Sequence, residues 1–143
     1  MQTQGGNEML IRGILIDVDS KKGTVKEIEL DNDKLESFYE ALNCDTIDIV
    51  QRMINGKPFD IVCDDEALLK YDPIPSAVRK DGKVMLCGNL FICNHYKEEL
   101  TSLSKKDVDY IMDNVVMVST ATPHKHGVRT NPILLNTEYV RID

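Results

Sequence analysis

The chain has 143 residues, 42% of them apolar and 29% charged, with a formal net charge of −7. This length suits one domain with a substantial core, and the balance is ordinary for a globular protein. It excludes binding to phosphate backbones by general electrostatics, which needs clustered Lys and Arg, and no apolar run approaches the ~20 residues of a membrane span.

The first eight residues, MQTQGGNE, have neither the basic nor the apolar region of a signal peptide. They read as a disordered lead-in, with a cytoplasmic location expected. Residues 9–19 are rich in Ile, Leu and Val and read as a strand. The turn signal SKKG at 20–23 and the alternating TVKEIEL at 24–30 complete a hairpin. Asp31, Asn32 or Asp33 is expected to cap a helix, with Asp33 and Glu36 spaced as a capping box. Leu35, Phe38, Tyr39 and Leu42 recur at helical spacing, so the helix should lie across one face of the hairpin.

A second hairpin follows. TIDIVQRMI (46–54) and FDIVCD (59–64) flank NGKP, where Asn-Gly favours the primed turn that matches strand twist. Asp64, Asp65 and Glu66 then form an acidic corner. Residues 71–83 carry two prolines and read as loop or edge. The apolar run at 83–94 is interrupted by Gly88-Asn89 and reads as one buried strand or two pieces. Ser104 and Asp107 open a second helix at about 105–114, with Val108, Ile111 and Met112 as its apolar stripe. Residues 115–119 read as a strand, 122–132 as a polar loop, and 138–142 as an edge strand. The elements predict an α+β fold: a mostly antiparallel sheet of four to six strands with two helices. They predict one domain over 9–143, with a core at 9–94 and an elaboration at 95–143.

The middle of the chain resembles a small family catalogued as a domain of unknown function. Its members have a Val- or Ile-rich strand ending in C-D-E-E-G-x-L, then a proline loop, then a strand built around a glycine. Here those positions read Val62, Cys63, Asp64, Asp65, Glu66, Ala67, Leu68 and Leu69, then Pro73, Pro75 and Gly88. Ala67 stands in place of the glycine. The resemblance covers about 9–94. It implies an accessory gene of a mobile element, since the family is frequent in phages, plasmids and conjugative elements of Firmicutes; it implies no catalytic residues.

Charge is the second functional signal. Residues 31–72 hold 11 acids and 4 bases, while residues 1–30 net −1 and residues 73–143 net +1. An acidic face suits a basic protein partner, or imitates DNA toward one; the plainer reading is a solvated surface that favours solubility. Glu36, Asp60, Asp64, Asp65 and Glu66 are the candidate binding residues. As metal ligands, Asp60, Asp64, Asp65 and Glu66 lack the spacing of a calcium loop, and Asp17 and Asp19 could join them only from another strand. The structural alternative has Asp64 and Asp65 forming a turn, Glu66 opening a helical turn and pairing with Lys70, and Leu68 and Leu69 returning to the core.

Other chemistry is thinly signalled. Cys44, Cys63, Cys87 and Cys93 are expected to be free thiols in a reducing compartment, three of them acting as small hydrophobes. Cys93 and His95 with His124 and His126 do not match a zinc spacing. Cys44 is the least implausible nucleophile. No P-loop, dinucleotide fingerprint or nucleophile elbow is present. The leading expectation is a non-catalytic protein that binds a macromolecule through an acidic surface, a counter-defence inhibitor being one version, with no metal or cofactor. The alternative is a small-molecule or nucleotide binder, or a small enzyme, with His124, His126 and Arg129 in a pocket against the C-terminal segment. A homo-oligomer through the strand at 83–94 is a further expectation.

Overall fold

The computed structural model describes residues 9–19, 23–70, 73–79, 81, 83–116, 120–124, 127–131, 134–136 and 138–139. The expected lead-in at 1–8 lies outside them. In chain order the elements are β1 (Leu10–Asp17), β2 (Thr24–Asp31), α1 (Leu35–Leu42), β3 (Ile47–Ile54), β4 (Lys57–Asp64), a 3-10 turn (Ala67–Leu69), β5 (Pro75–Val78), β6 (Val84–Cys87), β7 (Leu90–Tyr96) and β8 (Glu99–Thr101). Then come α2 (Lys105–Asn114), β9 (Val115–Val116), β10 (Thr120–His124), β11 (Gly127–Asn131), β12 (Leu134–Asn136) and β13 (Glu138–Tyr139).

The fold is α+β. The main sheet runs β13-β3-β4-β7-β1-β2, with β8 extending it from β7, and its pairings are antiparallel. Both expected hairpins form. Asn55 and Gly56 take φ of 49° and 88°, the two positive values that a primed turn requires. Gly88, at φ 78°, breaks the long apolar run into β6 and β7. The two pieces enter different sheets: β6 joins β5, β12 and β9 in a second sheet, while β7 inserts between β4 and β1.

That insertion explains the apolar runs. β4, β7 and β1 are buried on both faces, so their strands need not alternate. On one face Ile14, Ile16, Phe59, Ile61, Leu90 and Ile92 pack with Leu103, Val108 and Ile111 from around α2 and with Ala77, Met85 and Leu86 of the second sheet. On the other face Ile11, Leu15, Val62, Phe91 and Cys93 pack with Phe38 and Leu42 of α1. The ring of Phe91 meets Phe38 edge-on at 5.8 Å.

Several local expectations are corrected. α1 starts at Leu35 without a side-chain cap. Asp31 accepts from the Asp33 N–H at 2.9 Å, so the acid makes a turn ahead of the helix and the capping box does not form. α2 does begin as expected, with Ser104 accepting the Asp107 N–H at 3.1 Å. Residues 75–78 of the proline loop are a strand, with Pro75 at its first position, where a missing N–H is tolerated. The segment expected to be a polar loop at 122–132 contains β10 and β11, paired as a hairpin. Among the described residues no helix is long and apolar enough to cross a membrane.

Candidate functional site: the acidic end of the second hairpin

β4 carries its apolar run to Cys63 and then stops at a carboxylate. Asp64 is buried. One of its oxygens accepts the Glu66 N–H at 2.9 Å, and the other lies 2.6 Å from the Lys70 ammonium. The Asp65 N–H donates to the Thr46 carbonyl at 3.3 Å, tying the turn back to the start of β3. The expected Glu66–Lys70 pair is therefore replaced by Asp64–Lys70. Ala67 returns to the core, but Leu69 does not: it is 84% exposed. Glu66 and Asp65 are exposed.

Three further acids gather at this end from outside the corner. Asp19, just past β1, accepts from the Asn43 side chain at 3.2 Å. Asn43 sits at the end of α1 in left-handed backbone geometry, which brings the following Asp45 and Asp48 alongside. Asp19, Asp45, Asp48, Asp65 and Glu66 are exposed. They form a rim around buried Asp64 and its exposed partner Lys70. Two cavities of about 190 and 210 Å³ flank the turn, and Asp64 and Ala67 line both. Behind the second, Asn89 is buried; its carbonyl accepts the Val18 N–H at 2.9 Å and its amide donates to the Ala41 carbonyl at 3.2 Å. It clamps the end of β1 to α1.

The other nominated acids are not on this rim. Asp60 is 7% exposed, with its carboxylate 2.6 Å from the His95 ring nitrogen Nδ1. Glu36 is exposed on the first turn of α1, about 10 Å of helix away from Asn43. Sequence reasoning missed Asp45 and Asp48 and considered Asp19 only as a metal ligand. The available signal was position: Asp45 follows a helix end, and Asp48 falls on the β3 face shared with Val50.

Burial accounts for the thiols. Cys93 lies on the strand beside His95, and burial, aided by Asp60, pushes its thiol up to about 12. Burial likewise raises Cys63 to about 12 and Cys87 to about 11, and it raises Cys44. A thiol that stays protonated is a poor nucleophile. Among the described residues no three His, Cys, Asp or Glu side chains converge on one point that would hold a metal. His124 and Arg129 are placed on β10 and β11, His124 opposite Gly127 and Arg129 opposite Thr122; His126 lies outside the described residues.

The model of the family described as Domain of unknown function (DUF3846) matches residues 11–116. The match passes Asn94 and takes in α2. No curated protein and no solved structure matches the chain.

Proposed function

We propose, on the premise that the chain belongs to the DUF3846 family, that it is a non-catalytic protein whose acidic rim binds a basic macromolecular partner. The observation that carries this reading is convergence. Asp19, Asp45, Asp48, Asp65 and Glu66 come from three separate stretches of chain and are exposed around the turn after β4. Carboxylates grouped in this way raise the local field and speed encounter with a positive surface. The Lys70 ammonium beside the turn is already engaged by Asp64.

At the acidic corner, cavity size supports surface recognition over small-molecule capture, although a further cavity of about 390 Å³ lies between the start of β2 and the end of α2. The cavities beside the turn, about 190 and 210 Å³, fall below the ~300–1,000 Å³ of usual ligand pockets. The mobile-element setting implied by the resemblance suits a counter-defence role, in which a basic nuclease or other DNA-handling protein is the partner.

The test is affinity capture from a host lysate with wild type, D45K/D65K/E66K and the off-rim control E36K. Each captured protein is then purified and titrated at low and high salt. The reading expects a basic partner that E36K retains and the triple variant loses by at least tenfold, with affinity falling as salt rises. A partner that binds the triple variant as tightly as wild type would overturn it.

A further inference from the structure

Three sulfur-bearing side chains, Cys63, Met85 and Cys87, line one cavity, the space of about 190 Å³ between the main and second sheets. The topology brings them there. Cys63 belongs with Phe59 and Ile61 to the face of β4 that packs against the second sheet. Met85 and Cys87 stand two residues apart on β6, the spacing that puts side chains on one face of a strand. The backbone is fixed on both sides of Cys87. The Ser76 hydroxyl donates to the Leu86 carbonyl at 3.3 Å, and the Gly88 N–H donates to the Ile74 carbonyl at 2.8 Å. All three sulfur residues are buried.

The surroundings favour sulfur over oxygen as the donor. Asp64 lines the cavity, but one of its oxygens accepts the Glu66 N–H and the other meets Lys70. Asp48 already accepts the Ile49 N–H at 2.9 Å. The Cys63 thiol makes a weaker contact, to the Asp48 carbonyl at 3.7 Å, of the kind a thiol gives up readily. Val50, Ala67 and Leu86 add apolar lining, which limits competition from water. Asp48 and Asp65 are exposed and border the same cavity, so they draw a cation toward it. Arg52 lines it as well and sets a positive charge beside any pair of thiolates formed there.

We propose that Cys63 and Cys87, with Met85, bind the soft monovalent cation Cu(I) in this cavity. The proposal is independent of the acidic-rim reading. Thiolate and thioether ligands select Cu(I) over hard cations, which need a shell of many oxygens. Zinc in a structural site takes four ligands, and among the described residues no third His, Cys, Asp or Glu side chain converges with the two thiols. Cu(I) is satisfied by fewer ligands, and the Met85 thioether completes the set. Binding breaks the two S–H bonds, forms two copper–sulfur bonds and passes both protons to solvent. Copper stays monovalent throughout, so the step needs no oxidant and no reductant.

The experiment titrates the full chain, reduced and kept free of oxygen, with Cu(I) against a chromogenic copper chelator. Wild type should hold one copper per chain. C63A and C87A should each weaken binding at least tenfold, M85L by a smaller factor, and C44A not at all, with circular dichroism confirming that each variant is folded. A second measurement needs no variant: the X-ray absorption spectrum of copper-loaded wild type should show a shell of sulfur without nitrogen or oxygen. Cu(I) should also raise the thermal unfolding midpoint of wild type. Surrender of all the copper to the chelator overturns the proposal. So does a copper shell containing nitrogen or oxygen, and so does a loss of affinity in C44A equal to that in C63A.

Discussion

Lys70 places its ammonium 2.6 Å from Asp64, although Glu66 stands four residues before it at the spacing of a helical ion pair. The 3-10 turn at Ala67–Leu69 explains the choice. A single tight turn does not carry the i,i+4 geometry of an α-helix, and Lys70 leaves it in extended conformation. Asp64 is the buried carboxylate and needs a donor more than the exposed Glu66 does.

Asp64 is therefore expected to matter for stability, and Glu66 is not. D64A removes the acceptor of the Glu66 N–H and the partner of Lys70 together. It should lower unfolding free energy by ~1–3 kcal/mol, read from urea unfolding at neutral pH. E66Q keeps both bonds and should leave the midpoint in place. A shift with E66Q as large as that of D64A would refute the assignment.

Acid sensitivity should centre on Asp107. Burial pushes its carboxyl up, but hydrogen bonds from Lys57 and Asn94, the charge of Lys57 and the Ser104 hydroxyl outweigh burial and hold it below 3.8. These contacts pin α2 to β4 and β7, and Tyr110 adds a hydrogen bond to the Asn55 carbonyl. A carboxyl lowered in the folded state stabilises it above the unfolded value, and that contribution is lost as pH falls through the folded value. Wild type should lose stability from about pH 4 downward. D107N should be less stable at pH 7 and show a flatter acid limb; parallel acid limbs would contradict this role.

Gly13 is expected to tolerate no side chain. Its β1 position lies under the Phe91 ring, and an added Cβ would overlap both that ring and the Ile92 carbonyl. The carbonyl belongs to the neighbouring strand and cannot rotate away. G13A should destabilise by ~1–3 kcal/mol or more and, by displacing Phe91, loosen its edge-on contact with Phe38. Near-wild-type thermal unfolding of G13A would show that β1 and β7 shift apart at little energetic expense.

The site was legible only in part. Asp65 and Glu66 stand out as consecutive acids after an apolar strand, and they are indeed exposed. Asp60 and Asp64 belong to the same acidic count, but the chain buries them. Counting charges cannot separate these pairs, because exposure depends on what packs over the strand: His95 from β7 for Asp60, and the returning turn for Asp64. Asp19 joins the rim because α1 ends in a left-handed Asn43 that reaches it.

By itself the sequence determined the parts whose physics is local. Asn55-Gly56 needs only its own backbone preferences to make a primed turn, Ser104 caps a helix within three residues, and the apolar runs mark strands that must leave water. Only the tertiary structure decided which strands became neighbours. β7 separates two hairpins by entering between β4 and β1, and β6, on the other side of Gly88, goes to a second sheet. Local conformational energies depend on adjacent residues and are written along the chain. The partner of a buried carboxylate depends on burying both faces of a sheet at once, a condition satisfied by residues far apart in sequence.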